Sequence, residues 1–77
     1  MLHFVHIALS LPIHKQFTYI IPDELWQDNL VGRRALVPFG KRTLTGIITE
    51  ITMETVRGAK FIYEILDDTP IFNQRLL

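Results

Sequence analysis

One stretch constrains the fold of this chain more than any other: LVGRRALVPFGKRTLTGI, from Leu30 to Ile47. Two apolar, β-branched runs meet at Pro38-Phe39-Gly40. Proline gives a ladder no N–H and glycine opens the left-handed region, so the three residues read as a tight corner between antiparallel strands. Arg33, Arg34, Lys41 and Arg42 crowd that corner. An aromatic ring, a bare glycine backbone and basic side chains in one place suit a single-stranded nucleic acid end. They equally suit an ordinary solvated hairpin.

β-type signals run through the rest of the chain. His3 to Leu9 alternates, with Val5, Ile7 and Leu9 on one side, and Leu11-Pro12 ends it. Gln16 to Ile21 is aromatic and β-branched, and Pro22 closes it. Pro22-Asp23-Glu24 reads as a turn or a single helical turn. Leu25 to Leu30 is ambiguous, with Trp26 a core or lid aromatic. A third strand is expected at Arg34–Val37 and a fourth at Thr43–Met53, where Gly46 marks a bulge or bend. Glu54 to Ala59 is a connection holding Arg57 and Gly58. Lys60 to Leu66 is the fifth strand, Asp67 to Pro70 a turn or N-cap region, and Ile71 to Leu77 a short helical turn. The fold class expected is therefore mainly β: a small antiparallel twisted sheet closing into a barrel-like, OB-like domain with a short helical turn at its C-terminus.

With 77 residues, the chain is one domain, residues 1–77, and buries only about 60–65% of the surface its unfolded form exposes. It has no cysteine, which excludes a disulfide staple and a cysteine-based zinc site. The uncharged run from Phe4 to Leu11 is too short to span a bilayer and lacks the cationic start of a secretory signal. A soluble, intracellular protein with no membrane partner is expected. Formal net charge is zero, so there is no global signature of a nucleic-acid binder. The distribution is uneven: residues 1–30 sum to −2, residues 31–60 to +4 and residues 61–77 to −2. A basic patch of that kind can hold a phosphate, and it can also be a set of scattered solvated charges. The apolar ending Arg75-Leu76-Leu77 reads as the start of an unfinished element, so an N-terminal fragment of a longer protein is expected.

In their order along the chain, four segments resemble the N-terminal domain of the primosomal replication-restart helicase family, primosomal protein N′ (PriA). They are HIALSLPIHKQFTYIIP, GRRALVPFGKR, LTGIIT and AKFIYEILDDTPIF. Val-Pro-Phe-Gly alone is a weak signal, but the four in sequence cover nearly the whole chain. The resemblance implies a module that captures the free 3′ terminus of a nascent leading strand at a stalled fork in bacteria. It also implies a parent protein with a helicase motor that uses ATP, magnesium and zinc. Other primosome proteins and single-strand-binding proteins would be reached through that parent, in the nucleoid-associated cytoplasm. This chain has neither a phosphate loop nor cysteine, so no cofactor and no catalytic activity are expected of it alone.

The resemblance also points to residues. Phe17 would offer a π-face to the terminal base or sugar, a contact of roughly 1–3 kcal/mol when a base stacks; by itself it reads as a core aromatic. Thr18 stands where the family usually has Asp. A hydroxyl accepts hydrogen bonds without charge-assisted strength, so discrimination between 3′-hydroxyl and 3′-phosphate is expected to be weaker here or supplied by another residue. Gly40 would let a nucleotide lie against backbone, or merely supplies the positive φ of a turn. Lys60 would place a flexible charge on a phosphate or base carbonyl, or is a solvated strand-end lysine. Arg33, Arg34, Lys41 and Arg42 would track the phosphates leading in, or face the duplex. Tyr19, on the face of Phe17, reads as packing. His3, His6 and His14 lack the spacing of metal ligands, and Asp67-Asp68 reads as a turn or cap rather than an acid/base pair.

Two function classes follow: a non-catalytic binder of DNA 3′ ends, salt-sensitive and weakened when the terminal hydroxyl is phosphorylated, or a β-barrel protein–protein adaptor that adds an edge strand to a partner. No nucleophile–base pair, metal cluster or phosphate loop favours an enzyme.

Overall fold

The computed structural model describes residues 3–12 and 15–67. The helical turn expected at Ile71–Leu77, the rest of the Asp67–Pro70 turn and His14 lie outside them. Five strands form: β1 (His3–Leu9), β2 (Gln16–Ile21), β3 (Arg34–Phe39), β4 (Arg42–Thr52) and β5 (Glu64–Ile65), with a 3₁₀ turn at Asp23–Leu25. They make one sheet in the order β2-β1-β4-β3-β5, antiparallel at every pairing. The two strands nearest the N-terminus match the sequence reading residue for residue. The third runs two residues further, into Pro38 and Phe39. The fifth shrinks to two residues, because only Ala35↔Ile65 and Leu36↔Glu64 are in register with β3.

The core lies on the concave side of this sheet. Val5 and Ile7 of β1, Tyr19 and Ile21 of β2, Ala35 and Val37 of β3 and Ile48 of β4 meet there with Leu30 and Ile62. Strand alternation places these residues on one face. Trp26 stacks on His3, with ring centroids 3.8 Å apart and planes 12° from parallel, and so covers one end of the core.

The bulge in β4 falls at Thr49 rather than at Gly46. His6 is opposite Glu50 and Ile7 is opposite Ile48, so Thr49 is the extra residue. Its hydroxyl donates to the His6 carbonyl and accepts from Gln16 Nε2, each at 3.2 Å, which occupies groups the bulge takes out of the ladder. Gly46 has a different reason. A Cβ there would fall on Ile7 Cγ2 and lie 2.8 Å from Leu9 Cδ2 and 2.9 Å from the Ala8 carbonyl. Glycine lets β1 and β4 approach.

The sheet coils until its two ends face each other, but it does not close into the expected barrel. The residues after Lys60 cross the seam instead. Ile20 N donates to the Lys60 carbonyl (2.9 Å) and Ile62 N to the Ile20 carbonyl (3.0 Å), which leaves a single parallel bridge, Ile20↔Phe61, on the β2 side. Tyr63 N then donates to the Leu36 carbonyl (2.7 Å) and Leu66 N to the Arg34 carbonyl (2.9 Å) on β3. One short segment serves both edges, too briefly for a continuous ladder to either. Beyond Ile20 on one side and Leu36 on the other, the seam stays open.

Candidate functional site

Backbone parity decides what faces that open seam. In a strand, N–H and C=O groups alternate sides every second residue. Ile20 points both of its groups away from β1, so Thr18 and Gln16 do the same. Among the described residues no backbone group reaches Thr18 from outside. On the other wall Arg34 and Leu36 present their carbonyls outward, so Pro38 does as well. Its missing N–H therefore costs β4 no ladder bond. The Tyr19 hydroxyl reaches across and donates to the Pro38 carbonyl at 2.8 Å. Burial raises the Tyr19 pKa, which keeps the phenol protonated as that donor. Tyr19 thus packs, as the sequence indicates, and ties β2 to β3 beneath the gap.

What remains is an open groove of about 340 Å³ between the edge of β2, the β3–β4 corner and the loop before Lys60. Phe17, Thr18, Gly40 and Lys60, spread over 44 positions of sequence, all line it. Phe17 is half-buried. It packs on the core, its ring stands edge-on to Phe39 at 5.1 Å and 80°, and Lys15 Nζ lies 5.6 Å from its centroid. One face of the ring belongs to the fold while its rim borders the groove. Gly40 adopts φ +61°, yet a Cβ there would meet nothing within 4 Å. The turn requires glycine for its backbone conformation, and the space beside it is vacant. Lys60 is exposed, fixed at its carbonyl by Ile20.

The basic residues divide. Lys41 and Arg42 are exposed at the tip of the β3–β4 hairpin, next to Gly40. Arg33 is not on the surface: it is 3% exposed. Its guanidinium donates to the Asn29 carbonyl (2.9 Å), to Asn29 Oδ1 and to the Asp67 carbonyl (3.2 Å). Arg34 is paired with the Asp67 carboxylate at 2.8 Å, and its backbone N–H donates to the same carboxylate. Asp67 therefore fastens the end of β5 to β3. Neither arginine lines the groove. Sequence reading passed over Arg57 and Gly58, which form the third wall with Ala59; the one available signal was a glycine and two cations in a short connection between strands. His6 sits 3.4 Å from Glu54, and no metal-binding cluster of acidic residues and histidines occurs among the described residues. No helix among them is long and apolar enough to cross a membrane.

Residues 6–77 match the family model described as the 3′ DNA-binding domain, 3′BD. The chain is similar to the replication restart protein PriA of Bacillus subtilis, 34% identical over 68 residues that make up 84% of this chain and 8% of that protein. The corresponding protein of Treponema pallidum is 31% identical over 78 residues, 92% of this chain and 12% of its own length. That of Haemophilus influenzae is 31% identical over 71 residues, 88% and 10%. The chain spans about a tenth of the length of these curated relatives.

Proposed function

The chain belongs to the PriA 3′ DNA-binding domain family, and from that footing we propose that the open seam holds the last nucleotide of a single DNA strand. One observation carries the reading: Phe17, Thr18, Gly40 and Lys60 converge on one groove. Each supplies a different part of a nucleotide site. The Phe17 rim offers an apolar surface to a base or sugar. The outward N–H and C=O of Thr18 offer a donor and an acceptor to a base edge, with no side chain specifying which base. The vacant space beside Gly40 admits the sugar, and Lys60 reaches a phosphate. The groove is blind where the Ile20↔Phe61 bridge shuts the seam, so a strand enters it end first and does not thread through.

The wider role is part of the same proposal and draws on the family resemblance. The module belongs to a larger restart protein whose motor uses ATP, magnesium and zinc, and it marks the 3′ end of the leading strand at a stalled fork in the nucleoid. Primosome and single-strand-binding proteins are met by the rest of that protein. By itself the module binds and does not catalyse. A second reading, docking to another protein surface, draws on Phe61 and Tyr63, which are 50% and 58% exposed on the far side of the seam segment.

A fluorescence-anisotropy titration of a short linear strand against a closed circle of the same sequence tests the end-binding reading. Linear DNA is expected to bind more tightly, with an affinity that falls as salt rises. Equal binding of line and circle would sink it. Lys60→Ala, on a folded background confirmed by circular dichroism, is expected to weaken linear binding and to leave any protein contact through Phe61 intact.

A further inference from the structure

We infer that residues 68–77 of this chain dock into a second groove, on the outer face of the sheet, and that Arg75 seats there beside Asp23 and Glu24. This groove, of about 490 Å³, is lined by Ile21, Pro22, Asp23, Glu24 and Phe61. Among the described residues it shares no lining residue with the open seam. Val5 of β1 and Tyr19 and Ile21 of β2 belong to the core, so strand alternation turns Phe4 and Ile20 to the opposite face. Phe4 and Ile20 are cross-strand partners, and the parallel bridge sets Phe61 beside Ile20. An apolar row thus crosses the outer face. Phe4 and Ile20 are buried, but Phe61 and Tyr63 are 50% and 58% exposed, so the row ends in open apolar surface at the groove.

Charge and reach choose the occupant. Asp23 and Glu24 are exposed, and neither enters an ion pair among the described residues. No Lys or Arg among those residues lines the groove. An apolar floor with an acidic rim suits a segment that is apolar and carries a cation, whose stem lies on the floor while its head meets the rim. Residues 68–77, DTPIFNQRLL, are such a segment: Arg75 is its one cation, set among Ile71, Phe72, Leu76 and Leu77. On the helical turn that the sequence favours after Pro70, Ile71, Phe72, Arg75 and Leu76 share one face. The bridge at Phe61 is parallel, so the seam segment runs past Ile20 in the direction β2 takes toward Asp23. It ends at Asp67, whose carbonyl shares the Arg33 guanidinium with the carbonyl of Asn29, shortly after the Asp23–Leu25 turn. The way back from Asp67 to Phe61 is at most about 20 Å at the rise of a strand. Residues 68–77 cover roughly 15 Å as helix and roughly 33 Å extended, so either form reaches.

The test uses the full chain. It has no cysteine, so Asn73→Cys, on the polar side of that turn, carries a single nitroxide label. In isotope-labelled protein the amide signals of Asp23, Glu24 and Phe61 are expected to broaden most, and those of Lys41 and Arg42 at the hairpin tip to stay sharp. Arg75→Glu should lower the docked fraction about two- to fivefold, the scale of an exposed charge pair, and adding Asp23→Lys with Glu24→Lys should restore it. Phe61→Ala should lower it too, with the amides of β1 and β4 unmoved. Broadening spread evenly over the surface, or centred on Met53, which is 97% exposed beyond β4, overturns the inference. Equal broadening of isotope-labelled chains by separate nitroxide-bearing chains makes the occupant a second copy and overturns it as well. Docking that survives Arg75→Glu undiminished overturns the pairing with Asp23 and Glu24.

Discussion

Arg33 and Arg34 lie on one side of the molecule, and Arg57 and Lys60 on another. In sequence the first pair looks the more inviting, set beside a Val-Pro-Phe-Gly corner. In the fold it is consumed. Arg33 is buried on the carbonyls of Asn29 and Asp67, and Arg34 holds the Asp67 carboxylate. The second pair looks like loop decoration, yet it lines a groove without an ionic partner among the described residues. A cation's availability depends on which carbonyls and carboxylates the topology delivers to it, and those come from 34 positions away for Arg33. The two pairs differ in place: one fastens the seam and the other lines the groove.

The largest effect expected from this division is on stability. Arg33→Ala leaves the Asn29 and Asp67 acceptors and a cavity behind, and removal from a buried polar network costs about 2–4 kcal/mol. A domain of this size has little more than that to lose. Urea unfolding should therefore show a variant close to collapse at 25 °C, whereas Arg57→Ala should unfold at the same urea concentration as the parent. A stable Arg33→Ala that loses DNA affinity would reverse the roles given to the two pairs.

Two glycines sharpen the same contrast. Gly46→Ala drives a methyl into Ile7, Leu9 and the Ala8 carbonyl, an overpacking expected to cost about 1–3 kcal/mol. Its effect on DNA binding should vanish once the folded fraction is corrected for. Gly40→Ala meets no atom, but φ +61° costs an L-residue roughly 1–2 kcal/mol. Its methyl also points into vacant groove space, so affinity should fall beyond what stability explains. Parallel melts and anisotropy titrations separate the two outcomes.

Much of this was readable from the residues alone, and the failures have physical reasons. Alternation and proline stops fixed β1 and β2, because a half-buried strand writes its period into sequence. Phe17, Thr18, Gly40 and Lys60, which line one groove, were singled out through a family pattern; composition offered each of them an equally good structural role. Barrel closure was not legible, since it depends on how far the sheet coils and on one segment serving two edges. The bulge at Thr49 was missed because glycine is the usual marker, and here a threonine hydroxyl bonding the His6 carbonyl did the job while Gly46 served strand approach. Arg57 was missed because a loop between strands has no period, and only the coiling of the sheet brings it against β2.

A smaller effect belongs to the hairpin tip. Lys41 and Arg42 are exposed beside Gly40, on the path that the proposed end-binding mode gives to phosphates upstream of the terminal nucleotide. Removing both should lower affinity by a few-fold and reduce the steepness of log affinity against log salt by about one for each phosphate no longer neutralised. The preference for an end over a circle should persist. A slope that does not change would place the strand's path along the Arg57 wall alone.

The subtlest test concerns pH and the one pair at the boundary of the division. The Arg34 side chain holds the Asp67 carboxyl below its ordinary value, chiefly by hydrogen bonding, with the Arg34 N–H adding to it and burial opposing. A carboxylate with a depressed folded-state pKa contributes stability that is complete above its unfolded value, about 3.9, and is lost as pH falls through the lower folded value. Part of the acid sensitivity of the fold below about pH 4 should therefore disappear in Asp67→Asn, which should be less stable than the parent at pH 7 and converge with it in acid. Arg34→Ala should give the same flattened profile. At pH 7 it should leave DNA affinity within about twofold, because half-exposed Arg34 faces Asp67 and not the groove. If Arg34→Ala weakens DNA binding as much as Arg57→Ala, then a paired arginine still reaches the strand, and ion pairing in the free protein does not decide which cations bind.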